Sequence, residues 1–566
     1  MALNRRSRNL MNLTIRRVRS LETFRDETKT FDTRKTSFDI ERLLSRWDHD
    51  IDLKLPIEKT GLFGGKIPIH FPFGDPENPI NWSKGKKWFV VVVTLAAILN
   101  SALASSLPPP LVATIGAQFQ VVDPTQLALP VAIFYAGWII GPAIFGPLSE
   151  KRGRRFILSS AFTIFTAFTL ATALTPSWIA FLIFRFVVAL SASAPLSIVG
   201  GVYADLYDDS TTRGRAMAFF VAMLILGVSA GPAVAQYATI VTWQWHFWVA
   251  LILAVPTWIA LFFVPESYGP ILLKRRAQNM RASTRNPKIV APIELTEQDE
   301  HQMMNVSQTR ALQMIFGELM VVVSSLYLSL VFAVFFLLLG AYPLIFQGIY
   351  DLDPRSASLA LVPVVVGGFA GCGLVVLYDN ILARARRSNL PWAMVEDYRR
   401  LPLACVGCPL LVISLLWLGW SATSQVHWLF PMLAGLPFGT GFLLVFASFL
   451  NYLVDAYEIF ATSAIAATFC CQSVFGALLP FAVTPLYNLL GVKWATTGLA
   501  GVGLALVLFA LVLVWCGAPI RTKSKFYQDL LRKREEALAA AAADAYGSDS
   551  SVSNSLADEL PYRWRR

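Results

Sequence analysis

Beyond a polar and charged opening stretch, the chain alternates long apolar runs with short polar breaks. Each run approaches the roughly 20 residues that an α-helix needs to cross a hydrocarbon core. Candidate spans lie near 87–107, 126–148, 156–175, 178–204, 216–240, 245–264, 318–347, 357–378, 401–422, 428–453, 460–486 and 495–517. They fall into two sets of six, parted by about fifty polar residues. The pattern predicts an all-α membrane protein with twelve transmembrane helices in two six-helix bundles. Its expected divisions are a mostly disordered tail (1–86), an N-terminal bundle (87–264), a central loop (265–317), a C-terminal bundle (318–517) and a second tail (518–566).

Composition fits that reading. Of 566 residues, 55% are hydrophobic and 15% charged, against about 25% charged in soluble proteins. The formal net charge of +11 raises a nucleic-acid partner, which the placement of the charges argues against. Lys84, Lys86 and Lys87 precede the first span, and Lys151 to Arg155 follow the second. Arg213 and Arg215 lie between spans 4 and 5. Lys274, Arg275, Arg276, Arg281 and Arg285 follow span 6, Arg384, Arg386 and Arg387 follow span 8, and Arg521, Lys523 and Lys525 follow span 12. Lys and Arg in short loops resist translocation, so these loops and both termini are expected in the cytoplasm, against anionic lipid. The six cysteines all fall in apolar runs and read as packing residues, with no metal site or disulfide expected.

Three segments could carry transport chemistry. Between spans 2 and 3, Gly146-Pro147-Leu148-Ser149-Glu150-Lys151-Arg152-Gly153-Arg154-Arg155 forms a short basic hairpin. Gly146 would let spans approach, Gly153 would permit the turn, and Glu150 could pair with Arg or cap a helix. In span 4, Arg185 is the one full charge well inside a run. Function is the default reading for such a charge; a structural Arg that snorkels or bonds free carbonyls is the alternative. In span 5, Gly227-Val228-Ser229-Ala230-Gly231-Pro232 predicts a helix bend, since Pro removes a donor.

The hairpin resembles the loop 2–3 signature of the major facilitator superfamily, G-x-L-(a/s)-(D/E)-r-x-G-r-(k/r). Span 5 looks like the g-x-x-x-G-P motif of its drug–proton antiporters, with Ala235-Gln236 in place of a closing Gly pair. Arg185 with Ala189 is similar to the family's R-x-x-x-G, whose Arg is linked to proton handling. Asp75-Pro76-Glu77-Asn78-Pro79-Ile80-Asn81-Trp82-Ser83 resembles the entry sequence of the fungal twelve-span group (DHA1-type), as do Pro265-Glu266-Ser267-Tyr268 and Asn451-Tyr452-Leu453-Val454-Asp455-Ala456-Tyr457. The resemblance implies the major facilitator fold, a gating role for Gly146, Glu150, Gly153, Arg154 and Arg155, and proton-driven export across a plasma membrane. A monomer is expected, with the proton gradient rather than a cofactor as driving force.

Polar and aromatic residues in otherwise apolar helices are the cavity candidates: Asn100, Tyr135, Trp138, Arg185, Gln236, Tyr342, Asn451 and Gln472. For Tyr135, Trp138 and Tyr342, core packing is the alternative. No acid falls at mid-depth in any span, which disfavours a polyamine cargo and suits an apolar metabolite. A proton-independent facilitator or uptake carrier is the rival transport reading. A membrane enzyme would need clustered His, Asp or Glu, and the five His are scattered.

Overall fold

The computed structural model describes residues 67–522 apart from 73, 239–241, 297–313, 316, 389, 391–398 and 458–460, and also residue 528. The first tail, up to residue 66, and the second tail, almost entirely, therefore lie outside the described residues.

The N-terminal bundle contains α1 (Lys84–Ser106), α2 (Pro124–Arg152), α3 (Arg154–Ala173), α4 (Trp178–Leu206), α5 (Ser210–Ala238) and α6 (Trp245–Phe263). The C-terminal bundle starts with α7 (Leu319–Phe346), α8 (Val362–Arg387), α9 (Leu401–Ser421) and α10 (Gly435–Tyr457). A last helical stretch, Ala461–Thr522, has 62 residues. At 1.5 Å per residue it would run about 90 Å, three times a hydrocarbon core. It does not run straight. Gly491 sits at φ 68°, ψ 167°, a conformation open to glycine, and divides it into α11 (461–490) and α12 (492–522). Ser325 meets Thr468 and Leu337 meets Tyr487, so α11 runs parallel to α7. Gly419 meets Thr496 and Val412 meets Gly503, so α12 runs antiparallel to α9. The eleven apolar helices of spanning length among the described residues thus make twelve spans.

The two bundles repeat one packing scheme. Helix pairs α1–α5, α2–α4, α3–α4 and α3–α6 recur as α7–α11, α8–α10, α9–α10 and α9–α12. The bundles meet along α2–α11 and α5–α8, which are also related by the six-helix shift. Small residues allow the closest of these approaches, as is usual between helices in lipid. A Cβ on Gly141 of α2 would stand 1.8 Å from Ser193 Oγ of α4, and one on Gly439 of α10 would stand 1.9 Å from the Val364 carbonyl of α8.

Two local expectations need correction. The basic hairpin between α2 and α3 is a single residue, Gly153 at φ 99°, ψ 148°; Gly146 to Arg152 are the last turns of α2. Gly146 itself makes no enforced approach, since a Cβ there would meet Ala466 at an ordinary 3.5 Å. Arg384, Arg386 and Arg387, assigned by hydropathy to a loop, are the last turn of α8, where cations favour the helix dipole. Pro232, where the sequence expects a bend, lies inside the continuous helix α5. The span-5 glycines serve close packing on α1: a Cβ at Gly227 would stand 2.5 Å from Ala102 Cβ, and one at Gly231 would stand 1.9 Å from Ser106 Oγ.

The start of the central segment folds onto the approach to α1. A linker helix, Gly269–Thr284, packs Leu273 and Ala277 against Ile69, Phe71, Ile289 and Ile293. Strand β1 (Ile67–Pro68) pairs in parallel with β2 (Ile289–Val290). Arg276 pairs with Asp75, and Arg281 makes two hydrogen bonds to Glu294 at 2.7 and 2.8 Å. The approach to α1 and the linker therefore fold as one small module.

Candidate transport pathway and its closure

A cavity lies at mid-depth where the bundles meet. Its walls are Trp138 of α2, Ile225 and Val228 of α5, Phe332 and Phe335 of α7, Phe442 and Phe446 of α10, and Phe469, Gln472 and Ser473 of α11. The aromatic rings interlock: Phe335 lies 4.7 Å from Phe442, and Phe442 stacks on Phe446 at 4.4 Å. Only about 30 Å³ of room remains, against about 300–1,000 Å³ for drug-sized ligands. The cavity is constricted. Two donors stand out in this apolar wall. Among the described residues, Trp138 Nε1 and Gln472 Nε2 are buried without a hydrogen-bond partner, an arrangement that costs about 1–3 kcal/mol for each group. Ser473, by contrast, spends its hydroxyl on the Phe469 carbonyl at 2.6 Å.

Beside the cavity, Tyr135 sets its ring edge-on to Phe332 and Phe336 at 5.8 and 5.7 Å. Toward the start of α4, away from the basic end, Arg185 is buried at 1% exposure. One guanidinium nitrogen donates to the Ala104 carbonyl of α1 at 2.9 Å, and the group lies 4.3 Å from the Phe134 ring centroid. Its Nε and other terminal nitrogen have no partner, and no carboxylate pairs with it among the described residues. Cation–π contact and one carbonyl stabilise this charge less than a salt bridge would.

One end of the bundles, where α2 turns into α3 and α1 begins, carries the basic clusters. Here a layer of ion pairs joins the bundles. Arg213 of α5 donates to Asp455 of α10 at 2.5 Å. Arg215 donates to Asp379 and Asn380 of α8 at 3.2 and 3.1 Å. Arg400, immediately before α9 and 2% exposed, donates to Asp455 at 3.1 Å, lies 3.9 Å from Asp379, and reaches the Ser210 carbonyl across the interface. Glycine is what lets α5 come this close, because a Cβ on Gly214 would stand 2.3 Å from an Arg400 nitrogen. On the other side of the interface Arg154 pairs with Asp205 of α4 and donates to Thr462 Oγ1 of α11 at 3.1 Å.

The hairpin is anchored from beneath by Glu266. Its carboxylate accepts from the backbone N–H groups of Arg154, Arg155, Ser267 and Tyr268 at 3.0–3.2 Å. It thereby caps α3, the role the sequence offered to Glu150. Glu150 lies instead within electrostatic range of Arg154. Arg155 is exposed and donates to the Phe262 carbonyl at 2.6 Å.

Of the eight cavity candidates, Trp138 and Gln472 line the cavity and Tyr135 adjoins it. Asn100 ties α1 to Thr257 of α6 at 3.1 Å. Gln236 reaches the Pro110 carbonyl at 3.4 Å. Tyr342 is buried against Phe346, with its hydroxyl near Gly435. Asn451 belongs to the ion-pair layer, donating to the Gly214 carbonyl at 3.3 Å. Sequence reasoning missed Arg400 and the phenylalanines of α7 and α10. The Arg399-Arg400 pair heading an apolar run was the available signal for the first; phenylalanine in a span carries none.

The sequence profile described as Major Facilitator Superfamily matches residues 89–480. The MFS-type efflux pump MFS2 of Trichophyton rubrum is 33% identical over 479 residues, covering 84% of this chain and 80% of that protein. The multidrug transporter mdrA of Aspergillus fumigatus is 32% identical over 476 residues, with 83% and 77% covered. Efflux pump FUB11 of Gibberella moniliformis is 32% identical over 463 residues, with 81% and 77% covered. Among solved structures, the proton:xylose symporter XylE superposes with a TM-score of 0.58 at 18% identity, covering 76% of this chain and 97% of that one. At that identity the likeness speaks for the fold alone.

Proposed function

The chain belongs to the major facilitator superfamily, in the group of fungal efflux pumps and multidrug transporters, and from that premise we propose that it exports a small, largely apolar organic compound in exchange for protons. It is a transporter, not an enzyme. The basic end faces the cytoplasm in this reading, because loops rich in Lys and Arg are retained there. The protein works as a monomer in the plasma membrane, moving cargo by rocking its two bundles about the mid-depth cavity.

One observation carries the reading: an aromatic cavity between the bundles, shut at the basic end by cross-bundle ion pairs. The phenylalanines offer stacking surface, and the Trp138 and Gln472 donors await an acceptor such as a carbonyl or carboxylate. No carboxylate lines the cavity, so a polyamine would find no counter-charge. Release of the basic end requires Asp455 to let go of Arg213 and Asp379 to let go of Arg215, while Arg400 leaves the Ser210 carbonyl and Arg154 leaves Thr462. Protonating those carboxylates removes the attraction, which gives the proton gradient a place to act. Arg185 would then sense cargo or proton arrival from the opposite side.

The lack of a mid-depth carboxylate favours a second reading, a facilitator without proton coupling. The two separate in an efflux assay on cells loaded with a candidate metabolite. Proton antiport predicts that a protonophore stops export against a gradient. A facilitator predicts only equilibration, unchanged by the protonophore.

A further inference from the structure

The basic end holds a second, wider cavity that the transport pathway does not use. It is a cleft of about 400 Å³ between the start of α1, the head of α3 and the linker helix. Trp82, Lys86, Arg155, Glu266, Arg275 and Arg276 are its principal walls. Most of its acidic capacity is already spent. Glu266 holds four backbone N–H groups, and Asp75 neutralises Arg276. Glu77, 62% exposed at the rim, stands 3.6 Å from the same Arg276. Lys86, Arg155 and Arg275 remain as cations without a carboxylate partner among the described residues. Lys86 is held over the Trp82 ring at 3.7 Å, which fixes its ammonium at the mouth of the cleft.

What borders the cleft decides its ligand. Directly beyond Lys86 on α1, Trp88 is 62% exposed; beyond Arg155 on α3, Phe156 is 56% exposed; and before Pro265, Phe263 at the end of α6 is 73% exposed. In a membrane these rings face acyl chains, and Trp at such a boundary belongs to the interfacial belt. The cleft thus joins a positive pocket of headgroup size to an apolar flank formed by α1, α3 and α6. A free anion or an acidic soluble protein would use only the first feature, since the flank faces lipid.

We propose that this cleft binds the phosphate of an anionic phospholipid, with the acyl chains lying along the α1–α3–α6 flank. Because Arg155 adjoins Arg154, a bound headgroup braces the α2–α3 hairpin from outside the bundles. The site stands independently of the export reading.

Native mass spectrometry of the full chain, reconstituted with phosphatidylcholine alone or with added phosphatidylserine, tests it. The expected result is one retained phosphatidylserine in preference to phosphatidylcholine. A basic residue near an anionic surface contributes about fivefold to binding, so Lys86→Gln with Arg275→Gln should cut that preference on the order of 25-fold. Both side chains are exposed, and an unchanged melting temperature will show that the variant is folded. Arg384→Gln with Arg387→Gln, basic residues at the same end but outside the cleft, should keep the preference. Equal retention in the Lys86/Arg275 variant would overturn the proposal. So would displacement of the lipid by inorganic phosphate alone, which would make the cleft a site for free anions.

Discussion

Arg154 and Arg400 occupy equivalent places in the two bundles. Each heads the third helix of its bundle and grips the aspartate at the foot of the fourth, Asp205 and Asp455 respectively. Each also reaches across the interface, Arg154 to Thr462 and Arg400 to the Ser210 carbonyl. The basic-end closure is therefore a duplicated device, made stronger on one side by Arg213 and Arg215.

Loss of one arm should loosen the closed form. Asp455 is 21% exposed and Arg213 13%, so the pair is only partly screened by water. Asp455→Asn is expected to shift the closed-to-open ratio at the basic end by on the order of tenfold. Disulfide trapping between cysteines placed near 213 and 455 measures that ratio. Arg400→Lys should not rescue closure, since one ammonium cannot serve Asp455 and the Ser210 carbonyl together.

Gly153 and Gly146, both glycines of the α2–α3 hairpin motif, should behave differently. Gly153 combines φ 99° with a Cβ position 2.4 Å from Glu266 Oε2, so Gly153→Ala should cost about 1–3 kcal/mol in backbone strain alone. Gly146→Ala meets only ordinary contacts and should be nearly neutral. Thermal unfolding of the two purified variants, side by side, checks the contrast.

The cavity donors should matter for cargo and not for folding. Trp138→Phe and Gln472→Leu each remove a buried N–H that has no partner. Stability should hold or rise, because such groups are costly. Export of cargo bearing an acceptor should fall about 3–10-fold for each loss of one hydrogen bond. Melting temperature and efflux rate, measured on the same preparations, should move independently.

The linker module should come apart in acid. Burial alone would raise the Asp75 carboxyl, but the Glu77 N–H and the Arg276 guanidinium outweigh it and hold it below its ordinary 3.8. Hydrogen bonds from Arg281 hold Glu294 below its ordinary 4.5, against burial and with help from the Ala291 N–H. A carboxylate with a depressed folded value contributes stability above its unfolded value and loses it as pH falls through the folded one. Protection of the Ile69 amide, bonded to the Val290 carbonyl at 3.0 Å, should therefore be constant from pH 7 to pH 5. It should fall below about pH 4, after correction for intrinsic exchange. Loss of protection already near pH 6 would show that these carboxylates do not hold the module.

The spans were legible because hydropathy is local: α6 and α7 lie within a residue or two of their apolar runs. So was the α2–α3 turn, since Gly153 marks it. Pairings were not legible, because they depend on which helix ends meet. Hydropathy places Arg384, Arg386 and Arg387 after span 8, yet the guanidinium that repeats Arg154 is Arg400 at the head of α9. Gln472 and Asn100 looked alike as lone amides in apolar runs. Only packing separates them, placing one in the cavity wall and the other on Thr257.

Metabolite profiling of a strain that lacks this chain tests the central claim most directly, with medium and cell contents measured separately. The account predicts a compound with an apolar body and an acceptor oxygen that accumulates inside the deletion strain, returns to the medium when the wild-type chain is restored, and stays inside when a protonophore is added. A compound depleted inside the deletion strain, or export indifferent to the protonophore, would contradict it.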